Sequence, residues 1–151
     1  MKNFIFYSIL VLFVFVGCKK DKKKPKPIDQ TIISTTWLTV GVKQEYFNET
    51  GSKLFEHSAT TGPQYKFSKT SNTVRITENN QSVEKTYQLE QSKGKNYVVI
   101  SSGTETERYE IIDYTDKTMS WKQEKSNQTY EDGKLAAKLV TQIDFHCPCR
   151  D

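Results

Sequence analysis

Glycine and proline are scarce in this chain, seven and four in 151 residues, and histidine is scarcer still, with only His57 and His146. The glycines never gather into a phosphate-cradling loop, and no Gly-x-Ser-x-Gly elbow occurs, so the usual sequence marks of nucleotide binding and of serine hydrolases are missing. No Ser-His-Asp set stands in a recognisable context, and the Cys-x-x-Cys pair of thiol redox enzymes is absent. An apolar stripe at helical spacing over ten residues is also lacking, which argues against an amphipathic helix. Glu105, Glu107 and Glu110 are acidic neighbours, and in a strand the first two share a face. A solvated outer face explains such a pair more simply than acid–base work does. The expectation is a protein that is not an enzyme and takes no cofactor.

Charge is unevenly placed. The formal net charge is +4, but residues 19–27 (KKDKKKPKP) carry six lysines against one aspartate. From Ile28 to Asp151 there are 15 basic and 17 acidic residues, a balance of −2. The folded part therefore lacks the basic stripe that nucleic-acid binding would want, and no nucleic-acid partner is expected.

What is present begins at the N-terminus. Lys2 precedes an apolar run from Phe4 to Val16 broken only by Ser8, closing on Gly17-Cys18. A basic head, a short apolar run and a small residue make a secretory signal. The run falls short of the roughly 20 residues that a membrane-spanning helix needs. The Gly17-Cys18 ending resembles the lipobox of bacterial lipoproteins, in which the cysteine takes a diacylglyceryl group and becomes the mature N-terminus. That resemblance implies a signal peptide over 1–17 and a membrane partner through lipid on Cys18. Residues 18–33 then form a Lys/Pro-rich tether. Like charges and Pro25 and Pro27 keep such a segment extended, and its lysines suit anionic headgroups. By the same resemblance, Lys19 in the place where an aspartate signals inner-membrane retention in many such lipoproteins implies the outer membrane of the cell envelope.

From Ile28 onward Val, Ile, Thr, Tyr and Phe alternate with polar residues between turn signals. The runs read as strands over 36–48, 53–57, 64–68, 73–77, 82–89, 97–101, 106–114, 118–125 and 135–145. The run YVVIS at 97–101 is apolar on both faces and is expected to be covered, whereas the hydrophilic stretch 126–133 reads as a loop. This predicts an all-β domain over 34–146, an antiparallel up-and-down meander barrel of about eight strands, with a β-sandwich as the alternative. A short tail, 147–151, follows.

Trp37 on the first strand, Gln64-Tyr65-Lys66-Phe67-Ser68 continuing through Asn72-Thr73-Val74, Tyr87-Gln88-Leu89 and the Trp121 strand together resemble the lipocalin-like lipoproteins of Bacteroidota. The resemblance implies a lipocalin-like binding domain for a small apolar or amphiphilic ligand. Its candidate lining residues are Trp37, Tyr65, Phe67, Tyr87, Tyr97, Tyr109 and Trp121, although the same aromatics serve equally as the core of a filled barrel. The other reading is a protein–protein interaction or inhibitor module with an envelope-protein partner. At the C-terminus, Cys147 and Cys149 are one residue apart in an exported chain. They read as a small, labile disulfide, as an inert tail, or as soft ligands beside His146 with only His57 left for a fourth position. No metal is expected.

Acyl chains contribute about 0.8 kcal/mol per buried methylene, so two or three chains hold a protein on a bilayer where one does not. Cys18→Ser should therefore leave the membrane fraction. If the variant sediments with membranes as the parent does, the lipid-anchor expectation is wrong.

Overall fold

The computed structural model describes Ile28, Ile33 and residues 35–148. The expected signal peptide, Cys18, most of the tether and Cys149 lie outside the described residues. Nine strands follow in chain order: β1 (Thr36–Phe47), β2 (Lys53–Ala59), β3 (Gln64–Ser68), β4 (Thr73–Glu78), β5 (Gln81–Ser92), β6 (Lys95–Ser102), β7 (Glu105–Tyr114), β8 (Thr118–Tyr130) and β9 (Lys134–His146). Several turns between them use residues that tolerate left-handed backbone. Asn79 and Asn80 both have positive φ, as do Lys93-Gly94 and Asp132-Gly133. Two central residues of that kind give the primed turns whose twist matches paired strands.

Each strand pairs antiparallel with its neighbours, and β9 returns to pair with β1 from Leu38↔His146 to Phe47↔Lys138. On the other edge of β1, β3 occupies Thr36–Leu38 and β2 occupies Val42–Phe47. β2 and β3 are thus two lengths of one stave, broken at residues 60–63, and nine strands make an eight-stranded closed barrel. Gly62 makes the break possible, because a Cβ there would lie 2.9 Å from the Thr39 side chain. The Thr39 hydroxyl in turn donates to the Pro63 carbonyl at 2.5 Å. A single self-closing sheet leaves no place for the sandwich, and the architecture is the lipocalin-like up-and-down meander.

One end of the barrel is stoppered. Ile33 and Cys147 are fully buried among Trp37, Met119, Phe145 and the rest of the core, and Ile28 packs against it. The Cys147 amide donates to the Lys117 carbonyl at 2.8 Å, tying the chain end to a turn. The core thus takes in residues on both sides of 34–146.

The other end is divided. The β7–β8 ladder runs only from Tyr114↔Met119 to Glu110↔Lys122, while β8 goes on pairing with β9 as far as Tyr130↔Lys134. Among the described residues β2 pairs with β1 alone. A four-strand half-sheet, β2-β1-β9-β8, therefore extends past the end of the β7–β8 ladder. This corrects the loop expected at 126–133: β8 continues through Ser126 to Tyr130. Its polar residues gave no alternation to read, because a strand beyond the barrel body needs no apolar face.

At the centre, the Trp121 ring meets Phe145 at 4.6 Å, Tyr65 and Tyr109 at 5.3 Å, and Phe67 at 6.1 Å between centroids. The contacts with Phe145, Tyr65 and Phe67 are edge-to-face, and such pairs contribute beyond their buried area. Trp121→Ala should destabilise the barrel by about 3–5 kcal/mol, read as a lower urea midpoint at unchanged slope.

Candidate functional site

The divided end is the candidate site, and cross-strand register builds it in rows. Ala59, Val42, Ile143 and Trp121 face one another across β2, β1, β9 and β8, forming the last wholly apolar row. Two residues further out on each strand, the same inward face carries His57, Gln44, Thr141 and Gln123. The next row is Phe55, Tyr46, Leu139 and Lys125. Alternation dictates this, since residues two apart on a strand share a face.

Across the split stands the shorter wall. Glu107 lies on the face of β7 that carries Tyr109 and Ile111, so it points inward and not onto the solvated exterior the sequence suggested. Its carboxylate meets Lys125 of β8 at 3.5 Å and Lys85 of β5 at 3.8 Å. The Lys125 contact bridges strands whose backbone ladder has already ended. Half-exposed ion pairs of this kind add little stability, so their effect is to hold the two walls near each other.

Beneath the ions lie the tyrosines. Burial, then the charges of Glu107 and Glu78, push the Tyr65 phenol up to about 12. Burial also raises Tyr109, reinforced by the charge of Glu107 and a hydrogen bond with it. Tyr87 is raised by burial alone. Trp121 Nε1 is buried with no hydrogen-bond partner among the described residues. A donor left so costs about 1–3 kcal/mol. It sits one row below the polar side chains of the split end.

An aromatic cluster completes the outer row. Tyr46, Phe55 and Tyr130 lie with ring centroids 5.3–5.8 Å apart. Regular alternation would turn Tyr130 away from the face of Trp121, Gln123 and Lys125. Asn127 interrupts it with a φ of 53°, and the ring joins Tyr46 and Phe55.

Of the aromatics singled out in the sequence, Trp37, Tyr65, Phe67, Tyr87, Tyr109 and Trp121 converge in the interior, where they fill the barrel together with Ile33, Met119 and Phe145. Tyr97 does not join them. Asn96, Val98 and Ile100 take the inward positions of β6, and Tyr97 lies outside with the Arg108 guanidinium 3.4 Å from its ring centre. A concavity of about 280 Å³ lies beside residues 94–96 and 110–114. The Cys147 thiol is buried 3.6 Å from the Thr35 hydroxyl, and Cys149 lies outside the described residues. Among the described residues no three His, Cys, Asp or Glu side chains are placed to hold a metal ion.

Gln44, Thr141, Gln123, Lys85 and Lys125 went unmarked in the sequence, and His57 stood out there only as a spare metal ligand. Each is an ordinary polar residue in its own strand, and only the register between strands sets them around one opening. No family model matches the chain, and no curated protein is significantly similar to it.

The Tyr65 shift has a consequence for stability. An unfolded phenol ionises near 10, whereas the folded one holds its proton to about 12. The folded state therefore binds that proton more tightly, and the gain is complete below pH ~10. Stability should fall as pH rises from about 10 to 12, measured as the urea midpoint. Glu107→Gln should lower the Tyr65 and Tyr109 ionisation midpoints in an ultraviolet titration, leaving both above that of a free phenol.

Proposed function

We propose that this chain is a lipid-anchored lipoprotein of the bacterial cell envelope, held at the outer membrane through Cys18. Its barrel is a non-enzymatic binding module for a small apolar or amphiphilic ligand. The basic head, apolar run and Gly17-Cys18 ending support the anchor, and the lysine-rich stretch at 19–27 supports contact with anionic headgroups. The observation that carries the binding reading is the divided end itself. A closed apolar barrel there opens onto a few convergent polar groups, with the unpaired Trp121 Nε1 one row below them. Ligand sites combine these features, an apolar lining and a small number of placed polar atoms. Because aromatics fill the interior from the stoppered end up to Trp121, the ligand enters only the outer third and leaves the core packed.

A second reading, an interaction or inhibitor module for an envelope protein, rests on a different observation. Among the described residues nothing pairs with the outer edge of β2, and Leu54 on that strand is exposed. Free edges accept added strands. The ion-pair network of Lys43, Glu45, Lys53 and Glu56 on the same two strands works against casual pairing.

The two separate cleanly. An environment-sensitive apolar dye should bind the full chain in phospholipid nanodiscs beyond its background in empty discs. A neutral long-chain amphiphile should displace it, and Gln123→Leu should weaken it. Absence of any displaceable signal would rule out the ligand reading and leave the interaction module.

A further inference from the structure

We infer that the inward face of the β2-β1-β9-β8 extension is a carbohydrate-binding shelf that recognises a neutral sugar unit. The inference rests on the binding-module reading and names the chemistry that its open end selects. Two adjacent rows carry the argument. The outer row offers the half-buried rings of Tyr46, Phe55 and Tyr130, clustered at 5.3–5.8 Å. Ring faces presented in this way suit the flat C–H faces of a pyranose, a contact of weak C–H···π and dispersion type. The row beneath offers His57, Gln44, Thr141 and Gln123 in register across four strands. Two amides, a hydroxyl and an imidazole supply donors and acceptors together, the combination that vicinal hydroxyls require. None of these four side chains is hydrogen-bonded to another residue among the described residues.

The charges point the same way. Lys85 and Lys125 both pair with Glu107, and Glu78 lies close enough to act on Tyr65. Two lysines thus face two glutamates, and Lys134 near Tyr130 is paired with Glu131 at 3.5 Å. The balance gives an anionic headgroup or a phosphate no net attraction. A purely apolar tail would leave the polar row stripped of water and unpaired, at a cost for each group. A polyhydroxylated neutral ligand satisfies both rows at once.

Ile28, Ile33 and the start of β1 lie at the stoppered end, opposite the shelf.

The test uses the full chain in phospholipid nanodiscs, titrated calorimetrically with maltohexaose, cellohexaose and chitohexaose, and separately with oleate. Saturable binding of at least one saccharide is expected, weakened about tenfold by Phe55→Ala and by Gln123→Leu. Both sites are part-exposed, and an unchanged urea midpoint shows that the variants fold. Saccharide binding that neither variant weakens overturns the shelf. Oleate binding with no saccharide binding overturns the sugar assignment and leaves the binding module standing. No binding of either kind overturns both.

Discussion

The pairing of the first strand with the last is the constraint on which the structure depends. From Leu38↔His146 to Phe47↔Lys138 that ladder turns an open meander into a closed wall. Without it β1 and β9 would each expose a long edge, and exposed edges invite pairing between molecules. The Thr39/Gly41 irregularity in β1 adjusts the register along this seam, and Gly41 leaves ordinary contact space beside Asp144. The Asp144 carboxylate accepts from Ser120 at 2.6 Å and from Gln142 at 3.1 Å, tying β8 and β9 together next to the closure. A contact between chain segments so distant in sequence costs loop-closure entropy before it is rewarded.

Closure also creates the asymmetry between the two ends. At the stoppered end Ile33 and Cys147 are buried in the core. At the other, β8 and β9 go on pairing past the end of the β7–β8 ladder, so backbone pairing to β7 stops while side chains carry on. The Lys125–Glu107 contact spans the resulting gap. An ion pair in partly wet surroundings is a weak and salt-sensitive tie compared with a backbone ladder. The split end is therefore the part of the wall with freedom to part, and it is also where polar side chains and half-buried rings collect.

Between these ends lies the aromatic cage around Trp121. Packing of this density leaves little room for a ligand deep inside, and it moves the functional question outward by one or two rows. The unpaired indole N–H marks that boundary. Below it the buried side chains are apolar or aromatic apart from Thr39 and Asn96; above it His57, Gln44, Thr141 and Gln123 begin. Tyr65 and Tyr109 straddle the border, their rings in the cage and their hydroxyls within the influence of Glu107.

Much of the fold was legible because it rests on local chemistry. Tyr65 and Phe67 alternate with polar neighbours in a run bounded by turn residues, and Asn79-Asn80 declares its hairpin without help from the rest of the chain. Tyr97 misled for the opposite reason: YVVIS is apolar on both sides, and nothing local says which side faces the interior. Residues 126–130 misled because a strand that outgrows the barrel keeps no apolar face to announce it. Strand identity, an all-β barrel and its core aromatics follow from the sequence by itself, since side-chain alternation and turn preference act over a few residues. Which side chains share a row, that Glu107 turns inward to meet Lys85 and Lys125, and that Tyr130 joins Tyr46 and Phe55 were decided only by tertiary structure. Those juxtapositions depend on register between strands far apart in sequence, and register is set by closure of the whole sheet.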